Sequence, residues 1–191
     1  MENGPNSQTK SSNPLEEVAK AAKQAPGRGL PPVHLWHPAH CGDIDILIRA
    51  DGVWMHEGSP IGRPELVRLF STILRKDPDG YHLVTPVEKL KIKVEDLPFR
   101  ATQLEGRDGK LVFTTDRGDE VLVSETNPLV VDTDPVTGEP SPRVLVRGDL
   151  WARVVRAVFY DLVERAEEID GALAVRSGDD VFALGPKGAG L

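Results

Sequence analysis

The residues just before the first strongly amphipathic segment could bind an anion. Gly62, Arg63 and Pro64 stand where a helix normally begins with Ser, Thr, Asp or Asn as its cap. Arg63 puts positive charge at the positive end of the helix dipole, which is unfavourable unless a negative group lies beside it. Backbone N–H groups, the guanidinium and the small residue Ser59 would let a phosphate approach closely. The sequence therefore predicts an anion site at Arg63, although an ion pair with a local acid such as Glu57 explains the pattern equally well.

Charged residues at strand ends would complete this predicted site. Lys89 would add positive charge for the anion, whereas the acids would hold polar groups of the ligand or fix Arg63 in an ion pair. Glu95 and Asp96 suit a ribose hydroxyl or a base amine, and they could equally pair with Arg63 or Arg100. The full set of predicted ligand-binding residues is Ser59, Gly62, Arg63, Lys89, Asp43, Asp45, Glu95 and Asp96.

Two of these acids, Asp43 and Asp45, also suit a metal-dependent enzyme. They are two residues apart in a strand-like run, so their carboxylates lie on one face. Paired carboxylates bind Mg²⁺ or divide the roles of acid and base, although solvated acids on a strand give the same pattern more often. A hydrolase would need a further fixed acid or histidine, for which Glu57, Glu95 and Asp96 are the candidates. A Mg²⁺-dependent phosphohydrolase is therefore an alternative function.

The run from His34 to Cys41 offers three histidines and a thiol, which are good zinc ligands. Prolines in and before this run make it an extended segment, and the sequence holds no second ligand cluster to complete a site. We therefore predict no metal site and no cofactor. The sequence also lacks a nucleophile elbow, a P-loop and a glycine-rich dinucleotide motif, so it contains no recognised catalytic motif.

The charge balance excludes one class of partner. The chain carries 23 basic and 30 acidic residues, a formal net charge of −7, which argues against general binding to nucleic acids. A cluster of arginines surrounds a predicted helix start, and we interpret it as a solvated face; its members are Arg143, Arg147, Arg153 and Arg156. The charge balance excludes neither a small anionic ligand nor a protein partner.

Targeting and redox signals lead us to expect a cytoplasmic protein. The N-terminal residues lack the apolar region of a signal peptide, and no apolar run is long enough to cross a bilayer. Cys41 is the only cysteine, so no internal disulfide forms. Residues 1–30 are polar, which predicts a disordered tail with at most a short helix over Pro14–Lys23. A second loose tail is predicted over residues 186–191.

The residues between these tails predict short strands and two helices. Asp51-Gly52 predicts a two-residue turn that pairs Ile48 with Met55. Apolar spacing predicts a first helix from Pro64 that includes Leu74, and a longer second helix that begins at Asp149. Strands are predicted over 44–48, 53–57, 81–85, 88–94, 100–105, 111–115, 121–124, 129–132, 143–147, 172–176 and 181–184. Because strands and helices do not alternate regularly, the fold class is α+β with mostly antiparallel sheet.

The chain resembles a bacterial family of domains of unknown function. The resemblance rests on the runs CGDID, GSPIGR, LVRLF, LVTPVEK and VEDLPF within residues 41–99, and on a looser match at 147–164. It implies two small similar α+β units, residues 31–98 and 99–185, each a sheet packed by one helix, with a second unit similar to a pleckstrin-homology fold. It also implies a ligand at the interface between the units, with nucleotides as one candidate class, and a role in signalling or stress response.

We expect a module that binds or senses a small anionic molecule, because no nucleophile and base converge in the sequence as they would in an enzyme. The alternatives are the phosphohydrolase that would use Asp43 and Asp45, and an adaptor that would bind a protein partner through the second unit.

Overall fold

The computed structural model describes residues 13–23 and 29–185 of the chain. The helices are α1 (Pro14–Lys23), α2 (Pro64–Thr72) and α3 (Arg156–Glu164), and a 3₁₀ turn covers Val33–Leu35. The strands are β1 (His40–Ile48), β2 (Trp54–His56), β3 (Ser59–Pro60), β4 (Leu74–Asp77), β5 (Gly80–Val84), β6 (Glu88–Val94), β7 (Phe99–Arg107), β8 (Lys110–Thr115), β9 (Glu120–Leu122), β10 (Leu129–Thr133), β11 (Pro140–Arg147), β12 (Leu150–Val154), β13 (Glu167–Ile169), β14 (Ala172–Ser177) and β15 (Asp180–Ala183). The predicted loose tail over 186–191 lies outside the described residues. Among those described, no helix is both long and apolar enough to cross a membrane.

Two six-stranded sheets share one strand arrangement. The first has the order β3-β2-β1-β6-β5-β4, and the second, taken from the corresponding edge, has the order β9-β8-β7-β12-β11-β10. In each sheet two antiparallel three-stranded meanders meet through one parallel pair, β1 with β6 and β7 with β12. Strands β13 to β15 form a third, antiparallel sheet. The predicted α+β class with two similar units, each with one helix, is confirmed, whereas the parallel pairs were not expected. The pleckstrin-homology likeness stays a prediction.

The first hairpin has a longer turn than predicted. Ile48 pairs with Trp54 rather than with Met55. The N–H of Arg49 donates to the carbonyl of Val53 at 2.9 Å, and Gly52 takes a φ of +85°, so the loop has three residues with glycine in the left-handed position. A shift of one residue exchanges the two faces of a strand. The bulky Trp54 side chain is therefore buried in the core.

Both predicted helices have different bounds in the structure. α2 ends at Thr72, and Leu74–Asp77 is instead strand β4. The prediction that the second helix begins at Asp149 is wrong, because Leu150–Val154 is strand β12 and α3 begins at Arg156. Residues 150, 152 and 154 alternate into the core, and this period of two was hidden within a longer run of apolar residues at helical spacing.

The short helix that the sequence allowed over Pro14–Lys23 is present as α1, and most of the remaining predicted tail lies outside the described residues. Asn13 caps this helix, since its Oδ1 accepts the N–H of Leu15 at 3.1 Å. The apolar stripe of α1 is buried, and α2 is its main packing partner. Burial against α2 therefore offsets the entropy of ordering a segment that is too polar to fold alone.

One apolar core extends through both units. Phe70 on α2, Phe99 on β7 and Phe113 on β8 are fully buried members of the same cluster. Buried aromatic side chains contribute most to the stability of such a core. The helix of the first unit and the sheet of the second are therefore joined by apolar packing.

Hydrogen bonds from arginines also join the two units. Nη2 of Arg117 donates to the carbonyl of Gly52 at 2.8 Å, and Nη2 of Arg147 donates to the carbonyl of Ser71 at 2.8 Å. Nη1 of Arg147 also lies 2.9 Å from a carboxylate oxygen of Asp119. Guanidinium groups of the second unit thus satisfy one carbonyl in the loop of the first hairpin and one in the last turn of α2.

Candidate anion-binding cleft

Arg63, the centre of the predicted site, pairs with a carboxylate of α1. Its Nη1 lies 2.6 Å from Oε1 of Glu16, and both side chains are more than half exposed. The acid is Glu16, rather than Glu57 or Asp96, because α1 packs beside the start of α2. The positive charge of Arg63, for which the sequence allowed either a ligand or a local acid as partner, is thus balanced by a residue 47 positions away.

The start of α2 is a poor anion site for a second reason. Gly62 and Arg63 line a cleft of about 760 Å³ between α1 and α2, but Ser59 and Lys89 lie outside its lining. Glu65 stands in the first turn of α2, where its carboxylate already complements the positive end of the dipole. An anion at this position would meet the like charges of Glu65 and Glu16.

Asp43 and Asp45 lie on β1 beside the lysines of β6. Both are exposed, and with Lys91 and Lys93 they line a separate cleft of about 470 Å³. Asp43 is the register partner of Lys91. The lining holds no histidine and no third acid, so the structure surrounds these carboxylates with ammonium groups rather than with further metal ligands.

Glu95 and Asp96 bind partners other than Arg63. Oε2 of Glu95 accepts the N–H of Ala50 at 2.8 Å, which closes the turn of the first hairpin. Asp96 accepts Nε of Arg153 at 2.9 Å and Nη2 of the same side chain at 2.7 Å, a bidentate pair of the strong kind. The eight predicted site residues are therefore divided among several regions of the described structure: Gly62 and Arg63 line one cleft, and Asp43 and Asp45 line another.

Lys89 belongs to a cluster of charged side chains on β4, β5 and β6. Its Nζ lies 3.2 Å from Oδ2 of Asp77, whose carboxylate also accepts Nε of Arg75 at 2.7 Å and Nη2 at 2.9 Å. Hydrogen bonds from Arg75 and then Lys89 outweigh burial and lower the pKa of Asp77 from 3.8 to about 2. Arg75 also donates to the carbonyls of Val33 and Trp36, both at 2.8 Å. The cluster therefore fastens the segment before β1 to the sheet.

Asp77, Asp79 and His82 form the one close group of three potential metal ligands within the described residues. His82 is buried with Nε2 3.2 Å from Oδ2 of Asp79, and burial lowers its pKa despite that carboxylate. Arg75 and Lys89 already bind the carboxylate of Asp77, so a divalent ion would have to displace two cations. The group fits an ion-pair network better than a metal site.

A different cleft, of about 600 Å³, lies where α3 begins. Ala50 from the first hairpin lines it together with residues of the second unit, so it lies at the border of the two units. Arg100, Arg153 and Arg156 also line it. Asp134 and Glu139 line it as well, so a ligand with negative charge would compete with these acids for the guanidinium groups.

The N-terminus of α3 opens into this cleft without compensation from its own residues. Val155 is the N-cap residue, with φ −70° and ψ 153°, and within the described structure no side chain caps the helix. The first turn contains no acidic residue. Its first N–H groups have no intrahelical partner, and they carry the positive end of the dipole. The helix start is therefore electrostatically suited to an anion, in contrast to the start of α2.

Arg153 and Arg100 are held in place by their partners. Nη1 of Arg153 donates to Oγ of Ser141 at 2.6 Å, while the carboxylate of Asp96 raises the pKa of Arg153. Nη1 of Arg100 donates to the carbonyl of Ala50 at 3.0 Å. These contacts orient two cationic side chains along the wall of the cleft before any ligand arrives.

Arg156 and Tyr160 form the open side of the cleft. Nη2 of Arg156 lies 3.0 Å from Oε2 of Glu139, and the two side chains are 70% and 62% exposed. An exposed pair of this kind contributes little to stability, so an anion can take the place of Glu139. Tyr160 lies one helical turn further and is 57% exposed. Its ring offers a flat surface on which an aromatic ligand could stack.

Arg153 and Arg156, which we predicted to lie on a solvated face, instead line a cleft that the sequence did not predict. The sequence signal that could have indicated this cleft is the absence of a capping or acidic residue in the run from Val155 to Val158. It was hidden because the helix was predicted to begin at Asp149, which is an ordinary capping residue.

Comparisons with known proteins identify the family. A family model described as "Domain of unknown function (DUF1285), N-terminal domain" matches residues 31–97, and one described as "Protein of unknown function (DUF1285), C-terminal domain" matches residues 98–184. The curated proteins contain no match to the chain.

Two solved structures are similar to this chain. A crystal structure of a DUF1285 family protein from Silicibacter pomeroyi DSS-3 is 44% identical, with a TM-score of 0.79, and the match covers 87% of this chain and 93% of that one. A second, from Shewanella baltica OS155, is 27% identical, with a TM-score of 0.50, and the match covers 62% and 90%. The family resemblance is confirmed, and the chain belongs to the DUF1285 family.

Proposed function

We propose that the protein binds a small anionic molecule in the cleft between its two units and acts as a binding or sensing module. The observation that carries this proposal is the start of α3, which has no acidic residue in its first turn and opens into a cleft lined by Arg100, Arg153 and Arg156. Helix N-termini with adjacent guanidinium groups are common anion sites.

The lining also indicates which anions fit. A cleft of about 600 Å³ lies within the size range of small-molecule sites. Phosphate groups would lie against the first N–H groups of α3 and the arginines, and a nucleobase would stack on Tyr160. A nucleotide therefore uses more of this lining than inorganic phosphate does.

The acids in the cleft set the strength of binding. Glu139 pairs with Arg156, and Asp134 also lines the cleft. A ligand must compete with Glu139 for the guanidinium, so binding should weaken as salt rises. Glu139→Gln should strengthen it because the amide leaves Arg156 without a carboxylate partner.

The two alternative functions have less support. For a phosphohydrolase, Asp43 and Asp45 lie beside Lys91 and Lys93 in a shallow cleft without a third acid. For an adaptor, the exposed large apolar residues of the second unit are scattered in sequence, and they are Leu122, Val136, Tyr160 and Val181. Single exposed apolar residues are normal on protein surfaces.

A thermal-shift screen of the full chain tests the proposal. The panel holds inorganic phosphate, sulfate, nucleoside mono- and triphosphates and cyclic dinucleotides. A ligand at 100 times its Kd adds about 2.7 kcal/mol to the free energy of unfolding. A nucleotide should raise the melting temperature more than phosphate does, and Tyr160→Ala should reduce that difference.

Substitutions at the start of α3 locate the site. Arg156→Ala should weaken binding, and Ala157→Glu should abolish it, because the new carboxylate neutralises the helix start while favouring the helix itself. The matched control is Arg176→Ala, which removes another exposed arginine that pairs with one acid, Glu167 at 2.6 Å.

Two results would contradict the proposal. The first is that no anion raises the melting temperature, which would favour the alternative of a protein partner. The second is a shift that survives Ala157→Glu but is lost in Arg63→Ala, which would place the ligand between α1 and α2 instead.

A further inference from the structure

Helix α1 has the properties of a ligand for α2. It carries its own cap at Asn13, acids in its first turn and lysines in its last turn, as an independent helix would. One face is apolar and buried, and it consists of Leu15, Val18, Ala19 and Ala22. A helix of ten residues is too short to be stable alone in water, so α1 is helical because it is docked.

The docking of α1 depends on few strong contacts. α2 is its main packing partner, and two of its four buried residues are alanines. The polar contact is the ion pair between Glu16 and Arg63, which is more than half exposed and therefore weak. The opening of α1 should cost much less free energy than unfolding of the two sheets.

The seam between α1 and α2 is incompletely filled. A cleft of about 760 Å³ remains there with α1 in place, lined by Ala19 on one side and by Leu66, Leu69 and Thr72 on the other. The cleft is open to solvent, and the charged residues Glu65 and Arg68 also line it. The surface of α2 can thus accept larger side chains than α1 supplies.

α1 also lies outside the residues that the family model of the first unit matches. The family model of the first unit begins at residue 31, and α2 lies within it. Residues 24–28, which link α1 to the remainder of the chain, lie outside the described residues. The α2 surface therefore belongs to the matched domain, whereas the helix that covers it precedes the matched residues.

We propose that the surface of α2 formed by Gly62, Leu66, Leu69 and Thr72 is a docking groove for an acidic amphipathic helix of a partner protein, and that α1 is its built-in competitor. The partner helix carries a carboxylate in the place of Glu16, which pairs with Arg63. It carries a larger aliphatic residue in the place of Ala19, which fills the cleft. Helix-in-groove recognition of this kind reads apolar residues at helical spacing.

The test uses the full chain and a labelled peptide of known sequence. The peptide comprises residues 13–23 with Ala19→Leu, and its binding is followed by fluorescence anisotropy. The protein variant Val18→Asp places a carboxylate in the apolar seam and releases α1 without touching α2. The peptide should bind this variant at least about tenfold more tightly than it binds the natural chain, because a docked competitor reduces the fraction of open groove.

A charge exchange shows that the peptide occupies the groove. Arg63→Glu in the Val18→Asp background should weaken binding of the peptide, and Glu16→Arg in the peptide should restore it. The control is Arg176→Ala in the same background, which removes an exposed arginine from β14 and should leave binding unchanged.

Hydrogen exchange of the unmodified chain tests the proposal without any variant. The amides of α1 should exchange at least about a hundredfold faster than those of α2, as expected for an element that opens locally. Equal protection of the two helices would overturn the proposal, and so would failure of the peptide to bind a folded Val18→Asp variant. A dimer of the natural chain that the peptide dissociates would make α1 of a second copy the occupant, which also overturns the partner assignment.

Discussion

The two units use one strand arrangement but place their helices differently. In the first unit α2 connects the third and fourth strands, while in the second unit the corresponding connection between β9 and β10 has no helix and α3 follows the sixth strand. The start of α2 meets two carboxylates, from Glu65 and Glu16. The start of α3 has no acid in its first turn, and the three guanidinium groups beside it share the cleft with Asp134 and Glu139.

This difference shows that the candidate site follows the helix rather than the sheet. Equivalent sheets provide equivalent frames, and the starts of α2 and α3 both lack a side-chain cap and border a cleft with arginines, but α2 has an acidic residue in its first turn whereas α3 has none. The position of each helix also decides what covers it. α2 is covered by α1, whereas the first turn of α3 faces the first hairpin across the cleft.

The largest effect should come from removing a phenylalanine from either half of the shared core. Phe70 in the first unit and Phe113 in the second are both fully buried, so substitution of either by alanine should cost about 3–5 kcal/mol. Because both belong to one apolar cluster, differential scanning calorimetry should show a single transition that moves down for each variant. Two transitions, of which each variant moves only one, would show that the units are independent folding bodies.

A smaller effect is expected from acid, through Asp77 of the first unit. Its pKa is about 2 in the folded protein against 3.8 for the ordinary group, so the unfolded chain takes up the proton first as pH falls. The stabilisation, about 2 kcal/mol, is therefore complete above about pH 4 and is lost as pH falls through about 2. Asp77→Asn should be less stable than the natural chain at pH 6 and should show a flatter decline between pH 4 and pH 2, measured by urea denaturation.

The control for the acid experiment is Asp43→Asn, which changes an exposed carboxylate on the same sheet. Its stability should follow that of the natural chain across the same pH range. If Asp77→Asn declined in parallel with the natural chain, the contacts of Arg75 and Lys89 would not be the source of the acid sensitivity.

The smallest effect concerns the seam between the units. Gly52 has a φ of +85°, and a Cβ there would lie 2.8 Å from Cδ of Arg100 and 2.9 Å from Oδ2 of Asp116, both in the second unit. Gly58 has a similar φ of +76° and no atom within 4 Å of such a Cβ. Gly52→Ala and Gly58→Ala should share the conformational cost of about 1–3 kcal/mol, and Gly52→Ala should cost about 1 kcal/mol more.

Chemical denaturation of the two glycine variants measures this difference. Equal losses of stability would mean that the first hairpin can move away from Arg100 and Asp116 at no cost. The seam would then be a loose contact, and the cleft that it borders would not be rigidly defined.

Local patterns predicted much of the fold. Strand β6 was predicted with its observed bounds, because Leu90 and Ile92 face the core while lysines alternate with them. The face of α1 was predicted correctly from its spacing of Leu15, Val18, Ala19 and Ala22, although the segment around it was assigned to a disordered tail. In both cases the run of regularly spaced apolar residues was long enough to identify the element.

Long-range features could not be obtained in this way. Alternation shows which side chains face the core but not which strand lies next to them, so the parallel pairs of β1 with β6 and β7 with β12 were not expected. The partner of Arg63 lies on a helix 47 residues away. The cleft at α3 could be predicted only from the true start of that helix. That start was concealed because the apolar residues of β12 continue the helical spacing of α3.

In each six-stranded sheet the first and last strands in chain order pair at the centre, and this parallel pairing has a consequence for biosynthesis. On the ribosome β1 has no central partner until β6 has emerged, and β7 waits in the same way for β12. Until then each half-built sheet exposes backbone donors and acceptors along an open edge, and closing the long loop between first and last strand slows folding. The first unit can close while the second is still being translated, so a chain stalled after β5 would present its open edge to other nascent chains.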